Sequence, residues 1–554
     1  MLTSQQIRVT VFALIVCAAF AQNGPSSQGE TALKTQFVAV QPDVKLEVLG
    51  QNIPAKQQAP QRSQESSGLT RTASPEVQSI LNDSEGLPPE FSSDVTLAVV
   101  ENGFIRNDAL KAKLLTRAFE KASAAQDDVI RRPFGASVEE TSEGLHAIAS
   151  MVTGLNRISL QARVIHELVA TDPRRARRFF ESMQPPQLTP VLCNENWYFV
   201  PDSYYDALAA VLQRGFSDRE TAGGNRAAYV SSIIRSTQYH VQLVPLYRLL
   251  STDDFTEQEL RTIVPVYAAM VAQVDGDPLS FSILMSGPDG FFKAISALLA
   301  SLDKRNVDSR ALLQAFRDYM VLNVKGPNCG TTELSKSSKS ALPPAIVSFN
   351  ETFRSRLQKA KLEAISENEI KADANSNIKD QPLPARWKSA EYFQLLKAVQ
   401  GVNLALTEAA TSSENDSQRL SQAQDVLAQL SAWSNEDAGE SEADFFHQKA
   451  ILLEGLARRT IGTSVHAEVL DSLVRFLEQN SYQEVTPIDW FFCAKRLLST
   501  TAGTNKANAD LKRLVDSREP VLSIYARLQS LLQSAKEGPT GKQATGAASI
   551  EDRK

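Results

Sequence analysis

Residue patterns that could hold a metal ion are the first candidates for chemistry in this sequence. His166 is followed by a glutamate, as in the His-Glu-x-x-His helix of zinc proteases, but position 170 is Ala170, so the second imidazole ligand is missing. An Asp-Gly-Asp turn at 275–277 has the spacing of calcium ligands but lacks the further oxygen ligands of an EF-hand loop. Neither pattern predicts a metal site.

The sequence contains none of the short motifs that mark a nucleophile, a phosphate loop or a dinucleotide-binding turn. We therefore assign no catalytic residue, no cofactor and no metal ligand. Catalytic residues can also be scattered along a chain and assembled in space, so an enzyme with an unidentified site stays an alternative. Four other histidines lack metal-ligand spacing, and we interpret them as structural or surface residues: His146, His240, His447 and His466.

Two of the four cysteines are predicted to form a disulfide. Cys193 and Cys329 both lie in loops that contain proline and asparagine, whereas Cys493 lies in an aromatic helical stretch that indicates a buried free thiol. The alternatives are another pairing or two unpaired cysteines. Closing so long a loop would stabilise the fold by up to about 5 kcal/mol in the chain-entropy model.

The densest basic cluster is a group of four arginines: Arg174, Arg175, Arg177 and Arg178. On a helix they occupy an arc of about 160°, while Ala176 and two phenylalanines fall on the opposite side. We call this group the arginine face. It is a candidate surface for an acidic partner, a phosphorylated ligand or anionic lipid, and the alternative is a solvated helix face paired with neighbouring carboxylates.

The richest aromatic cluster follows Cys193 and contains four candidate partner-binding residues: Trp197, Tyr198, Tyr204 and Tyr205. Flat amphipathic rings bury area at little entropic cost, so such a cluster suits a recognition surface or a shelf on which a sugar stacks. The alternative interpretation is packing around the disulfide.

Helices must position all of these residues. From Phe91 onward, apolar residues recur at spacings of three to five, which is typical of amphipathic helices. The sequences Ser217-x-x-Glu220 and Thr256-x-x-Glu259 are predicted capping boxes. Many helix pairs in series, without convincing strand pattern after residue 90, predict an all-α fold of helical hairpins stacked as an α-solenoid-like array behind a disordered N-terminal leader.

Composition shifts divide the chain further. The leader is rich in Gln, Ser, Pro and Gly, and a polar stretch that ends in Pro-Leu-Pro separates two helical blocks. The predicted segments are a signal peptide (1–21), a leader (22–90), a helical domain (91–365), a linker (366–386), a second helical block (387–532) and a polar tail (533–554).

The N-terminus predicts export. Arg8 supplies a positive start, an apolar run of about a dozen residues follows, and the small residues Ala19 and Ala21 mark cleavage before Gln22. The alternative is a retained membrane anchor, but this run is shorter than the roughly 20 residues that span a bilayer. We therefore expect a periplasmic or secreted protein with no integral membrane span after cleavage.

Charge and length limit the function classes. The chain has 554 residues and a formal net charge of −6, which argues against a general binder of nucleic acid. Stacked helix pairs leave a long face available for other macromolecules. We expect an exported helical-repeat scaffold that mediates protein–protein interaction; the alternatives are an enzyme that acts on cell-envelope material and a self-assembling structural component. The sequence leaves the partner and the oligomeric state open.

Overall fold

The computed structural model describes thirteen stretches of the chain, all within the unit Lys45–Lys554: residues 73–134, 142–193, 195–252, 254–274, 278–286, 288–325, 329, 342–370, 390–402, 413–435, 441–480 with 482, 485–502 and 507–537. The predicted signal peptide, most of the predicted leader, most of the linker and most of the polar tail lie outside the described residues. The Asp-Gly-Asp turn at 275–277 also lies outside them.

Helices dominate the described residues before the predicted linker. They are α1 (Pro75–Ser84), α2 (Pro89–Glu101), α3 (Asp108–Ala122), α4 (Ser142–Thr153), α5 (Arg157–Val169), α6 (Pro173–Ser182), α7 (Asp202–Arg214), α8 (Asp218–Ala222), α9 (Asn225–Arg235), α10 (Leu243–Ser251), α11 (Glu257–Val271), α12 (Pro278–Ser286), α13 (Pro288–Lys304), α14 (Arg310–Lys325) and α15 (Pro344–Ala360).

The second helical block continues the pattern. Its helices, with the short α16 that precedes it, are α16 (Glu367–Ile370), α17 (Ala390–Gly401), α18 (Ser413–Ala432), α19 (Glu442–Arg459), α20 (His466–Gln479), α21 (Pro487–Ala502), α22 (Ala507–Val515) and α23 (Pro520–Glu537). The all-α fold class predicted from apolar periodicity is confirmed.

Local sequence explains where the helices begin. The side chains of Asn107, Asn156 and Asp172 each accept a hydrogen bond from the first turn of the helix that follows them. Both predicted capping boxes are present, one at the start of α8 and one at the start of α11. The predicted leader extends to residue 90, whereas α1 already begins at Pro75, because Ser74 caps it and its apolar residues recur at helical spacing.

The helices pack in series, as the predicted stacking of hairpins requires. Helix α5 packs against α3, α6 and α7, while α11 packs against α9 and α14, so contacts run between near neighbours in the chain. Their buried apolar residues form one large cluster within the described residues, from Val77 in α1 to Leu528 in α23.

The C-terminal helices also pack directly on the N-terminal helices, a contact that nearest-neighbour stacking does not predict. Helix α21 packs on α4, and α23 packs on α1 and α2. Tyr525 of α23 donates a hydrogen bond to Asp94 of α2 at 2.6 Å, and Lys495 of α21 donates one to the carbonyl of Val152 at 2.8 Å. Helices from both sides of the predicted linker are therefore in contact.

Two short strands interrupt the helical pattern of the described residues. Strand β1 (Ile130–Pro133) pairs antiparallel with β2 (Trp197–Val200), with Arg131 opposite Phe199 and Arg132 opposite Tyr198. The aromatic cluster predicted from the sequence therefore begins on a strand, which the apolar periodicity did not indicate.

The predicted disulfide is confirmed. Cys193 and Cys329 lie with their Sγ atoms 2.15 Å apart and their Cα atoms 5.2 Å apart. Cys493 is a buried free thiol, and burial raises its pKa. The hydroxyl of Ser282 on α12 accepts a hydrogen bond from the backbone N–H of Cys329 at 3.1 Å, which ties the disulfide to that helix.

Within the described part of the chain, no single helix is long and apolar enough to cross a membrane. One bent pair of segments, Pro278–Met285 and Gly290–Lys304, reaches the length and hydropathy of a membrane span, by length and composition only. The two segments meet at an angle of 83°.

Candidate functional site

Helix α7 carries two tyrosines and two carboxylates of the candidate site: Tyr204, Tyr205, Asp202 and Asp206. Pro201 separates it from strand β2, and Asp202 is its first residue. Its buried side, which includes Tyr204, Tyr205 and Leu208, packs against α5, α6 and α10. The neighbouring α6 carries the arginine face, and the ring of Phe180 on α6 lies 4.9 Å from the ring of Tyr204.

A cavity of about 210 Å³ opens beside α7, between the loop after α6 and the turn that follows α9. We call it the tyrosine cavity. Its buried lining includes Tyr204, Tyr205, Leu188 and Ile233. Exposed lining residues form its rim: Gln187, Ser236 and Gln238. The lining of the cavity therefore combines aromatic and aliphatic side chains with amide and hydroxyl groups.

Three tyrosines line the cavity, and the two on α7, Tyr204 and Tyr205, differ in their hydrogen bonding. The Tyr205 hydroxyl is hydrogen-bonded to the side chains of Thr237 and Gln242, and Tyr205 is 1% exposed. Tyr204 is 4% exposed, and its hydroxyl has no hydrogen-bond partner among the described residues. Burial raises the pKa of both phenols, so both remain protonated donors at neutral pH.

Trp197 and Tyr198, the other two predicted aromatic residues, do not line the tyrosine cavity. Trp197 packs against the small apolar cluster that includes Cys329 and Cys193, and the Arg131 guanidinium lies 4.7 Å from its ring centroid. Tyr198 is hydrogen-bonded to Arg132 across the strand pair. The structure thus brings Tyr204 and Tyr205 together at the cavity and places the other pair on the strand beside the disulfide.

Two of the four predicted arginines have contacts that anchor α6. Arg177 forms ion pairs with Glu181 at 2.9 Å and Glu220 at 2.7 Å, and its guanidinium lies 4.1 Å from the centroid of the Phe216 ring. Arg175 donates a hydrogen bond to Thr116 on α3. These two side chains are partly buried, so they fix the helix to its neighbours.

Arg174 and Arg178 point into solvent. Both are exposed, and neither forms an ion pair with a carboxylate in the described part of the chain. The alternative interpretation of the arginine face, pairing with neighbouring carboxylates, holds for Arg177 but not for these two positions.

Two carboxyl groups on α7, those of Asp202 and Asp206, have raised pKa values. Asp202 forms an ion pair with Arg248 of α10 at 3.1 Å, although burial raises the pKa of Asp202. Burial and the adjacent Asp202 charge raise the pKa of Asp206 to about 8, and the described residues offer Asp206 no hydrogen bond. Asp206 is therefore mostly protonated at neutral pH, while Asp202 is held by a cation. Their i,i+4 spacing in the predicted helix was a signal that sequence reasoning missed.

A second polar network joins the two helical blocks. His146 of α4 lies between Asp489 of α21, with Nδ1 to Oδ2 at 2.9 Å, and Asp127, with Nε2 to Oδ1 at 3.6 Å. His447 of α19 approaches the other Asp489 oxygen within 3.1 Å. Burial alone would lower the pKa of His146, but the two carboxylates outweigh it and raise the pKa to about 9. The network thus holds an imidazolium in the interior.

The remaining predicted structural histidines are also buried in polar contacts. His240 lies 2.9 Å from the Tyr319 hydroxyl, and burial lowers its pKa to about 3, so it is neutral. His466 lies 3.0 Å from the Ala457 carbonyl. No group of three or more His, Cys, Asp or Glu side chains in the stretches that the structure describes is arranged to hold a metal ion.

The cavity and the network of His146 with Asp489 depend on tertiary packing, which explains why sequence patterns did not identify them. Of the cavity residues, Tyr204 and Tyr205 stood out by aromatic density, whereas Gln238 and Gln242 carry no signal of their own. In comparisons with known proteins, no family model, no curated protein and no solved structure matches this chain.

Proposed function

We propose that this protein is an exported helical scaffold whose arginine face binds an acidic surface of a partner protein. The observation that carries the proposal is the exposure of Arg174 and Arg178, two cations without carboxylate partners among the described residues. The chain as a whole carries a net charge of −6, so this positive surface differs in sign from the average of the molecule. A positive patch of this kind favours encounter with acidic partners and selects against basic ones.

The contacts that fix α6 to the rest of the protein support a binding role. Asp172 caps its first turn, Ala176 and Phe180 are fully buried, and Arg177 is held by two carboxylates and an aromatic ring. Because the helix backbone is fixed, binding has to order only the exposed arginine side chains, which keeps the entropic cost of association low. Arginine also suits carboxylate recognition, since its planar guanidinium can make two parallel hydrogen bonds.

Export to a periplasmic or extracellular space is part of the proposal. The disulfide between Cys193 and Cys329 is consistent with an oxidising compartment, and the N-terminal sequence predicts a cleaved signal peptide. N-terminal sequencing of the protein purified from its own host tests this part. A mature chain that begins at Gln22 supports export, and a chain that retains Met1–Ala21 in the cytosolic fraction contradicts it.

The cavity favours binding over catalysis. An enzyme of the alternative class needs convergent acid and base groups in a concave site. No carboxylate, histidine or cysteine of the described residues lines the tyrosine cavity, and Asp206, whose pKa is raised, is not one of its lining residues. A scaffold function requires no such convergence.

The experiment compares partner capture by three forms of the tagged full chain, cross-linked in the native host. The wild type is set beside Arg174→Glu/Arg178→Glu, which reverses the two exposed charges. The matched control is Arg310→Glu/Arg354→Glu, which reverses two exposed arginines on α14 and α15 that likewise form no ion pair in the described structure. Partners are quantified by mass spectrometry at low and high salt.

We expect one protein with an acidic surface to be recovered with the wild type and the control, and to be lost at least tenfold with Arg174→Glu/Arg178→Glu. Its recovery should fall with salt, because exposed charges are screened. Equal recovery with all three forms, equal loss with both variants, or no recurrent protein with the wild type would each contradict the proposal.

A further inference from the structure

We propose that the tyrosine cavity binds a neutral polyhydroxylated group of monosaccharide size, either a free sugar or one sugar unit of a glycan. This site is separate from the arginine face and does not depend on the protein partner proposed above. The cavity measures about 210 Å³, below the range of roughly 300–1,000 Å³ that is usual for drug-sized ligands. Its size therefore suits one compact group.

The Tyr204 hydroxyl is available to a ligand. Tyr204 lines the cavity and is 4% exposed as a residue, and its hydroxyl forms no hydrogen bond with the described residues. The hydroxyl oxygen itself is not fully buried, so solvent reaches it. A ligand hydroxyl in the cavity can replace that solvent as its hydrogen-bond partner.

Some of the other polar groups of the cavity already form hydrogen bonds within the protein, and others are free to bind a ligand. The side-chain oxygen of Gln242 already accepts hydrogen bonds from the backbone N–H groups of Gln238 and Tyr239, at 3.0 and 3.1 Å. The side-chain amide of Gln238 forms no hydrogen bond within the described part of the chain. Ser236 donates its hydroxyl hydrogen to the Ile233 carbonyl, which leaves its oxygen as an acceptor. The rim therefore offers both donors and acceptors, as a sugar hydroxyl requires.

The charge of the lining narrows the ligand class. Among the residues that the structure describes, no Asp, Glu, Lys, Arg or His lines the cavity, so a phosphate, carboxylate or ammonium group would enter without a counter-charge from them. The aliphatic lining from Leu188 and Ile233 suits the C–H face of a pyranose ring, and the tyrosines combine an apolar ring with a polar edge. A neutral molecule with hydroxyls on one side and C–H groups on the other meets both conditions.

The test measures ligand binding to the full chain by saturation-transfer NMR and titration calorimetry. The probes are D-glucose, D-galactose, D-mannose and N-acetyl-D-glucosamine, each also as its methyl glycoside, together with a neutral capped dipeptide, N-acetyl-Gly-Pro-methylamide. Tyr204→Phe removes the hydroxyl and keeps the ring. Ser236→Tyr fills the mouth from an exposed position, so it leaves the core intact. The matched control, Tyr482→Phe, removes a hydroxyl outside the cavity.

We expect at least one sugar to bind saturably to the wild type and to Tyr482→Phe. Tyr204→Phe should weaken that binding about threefold to tenfold, as loss of one hydrogen bond implies, and Ser236→Tyr should abolish it. Binding of the methyl glycoside identifies a glycan unit, and binding of the unblocked sugar alone identifies a free sugar. The proposal is overturned by the absence of saturable sugar binding, by binding of the capped dipeptide instead, or by sugar binding that neither cavity variant changes.

Discussion

His146 and Asp489 are 343 residues apart in the chain, and their side chains meet with Nδ1 2.9 Å from Oδ2. The contact links α4 of the first helical block to α21 of the second, where Lys495 also binds the carbonyl of Val152. Asp489 is 5% exposed at its side chain and also faces His447. Burial alone would raise the pKa of Asp489, but the two imidazole groups hold it well below its usual range. This carboxylate is therefore one buried charge that joins the two blocks.

Asp489→Asn should destabilise the protein by about 1–3 kcal/mol, because it removes the ionised partner 2.9 Å from His146 and leaves that imidazolium only the longer contact to Asp127. Urea unfolding at pH 6 measures the change in the free energy of unfolding. Asp425→Asn is the matched control, since Asp425 is exposed on α18 and forms no ion pair in the described structure, and we expect it to change stability by less than about 0.5 kcal/mol. A cost for Asp489→Asn no larger than that of the control would contradict the role of the network.

The same network predicts a pH dependence above neutrality. The pKa of His146 rises from 6.5 to about 9 on folding, so between these values the folded protein holds a proton that the unfolded chain has released. The stabilisation is complete below pH 6.5 and is lost as the pH rises through 9, with a slope of about −1.4 kcal/mol per pH unit. We expect wild-type stability to fall by about 3 kcal/mol more than that of His146→Gln between pH 6.5 and 9. Parallel curves for the two proteins in urea titrations would show that His146 does not hold the extra proton.

Local signals account for the part of the fold that could be predicted. The helices follow from apolar periodicity and from caps such as Thr256 with Glu259, whose information lies within a few residues. The disulfide between Cys193 and Cys329 followed from elimination among few cysteines and from their loop contexts. Local patterns of this kind predict element type and fold class well.

Contacts between distant segments account for what could not be predicted. The local sequence around Asp489 predicts only a residue in the first turn of a helix. The packing of α21 on α4 is what brings Asp489 to His146. The strand pair was missed because β2 has only four residues, and all four are partly buried, so they show no alternation of buried and exposed positions. Its partner β1 also lies more than sixty residues earlier in the chain. The tyrosine cavity itself forms only when the loop after α6 and the turn after α9 pack beside α7, so it has no counterpart in sequence.

Asp206 should show the opposite effect to Asp489 when its charge is removed. Its pKa rises from 3.8 to about 8 on folding, so the folded protein takes up a proton between these values and stability falls as the pH rises. Asp206→Asn removes an ionised carboxylate that burial and Asp202 disfavour. We expect the variant to be more stable than wild type by about 1–2 kcal/mol at pH 9, less than the full shift implies because the side chain is partly exposed.

Thermal unfolding at pH 4 and pH 9 checks the Asp206 prediction. At pH 4 the difference between Asp206→Asn and wild type should be small, because the carboxyl is then largely protonated in the folded state. A variant that is less stable than wild type at pH 9 would show that the ionised carboxylate has a stabilising partner.

Replacing both disulfide cysteines, Cys193→Ser/Cys329→Ser, should lower the free energy of unfolding by about 2–5 kcal/mol, because the bond closes a loop with a sequence separation of 136 and restricts the unfolded chain. Urea unfolding with and without a thiol reductant separates the bond from side effects of the substitutions. The reductant should destabilise the wild type and leave the variant unchanged.

In the denatured, unreduced wild type, thiol titration should find one free thiol, Cys493, after cleavage at Ala21, and two if Cys17 is retained. Three or four free thiols would contradict the disulfide, and with it the support that it provides for an oxidising compartment.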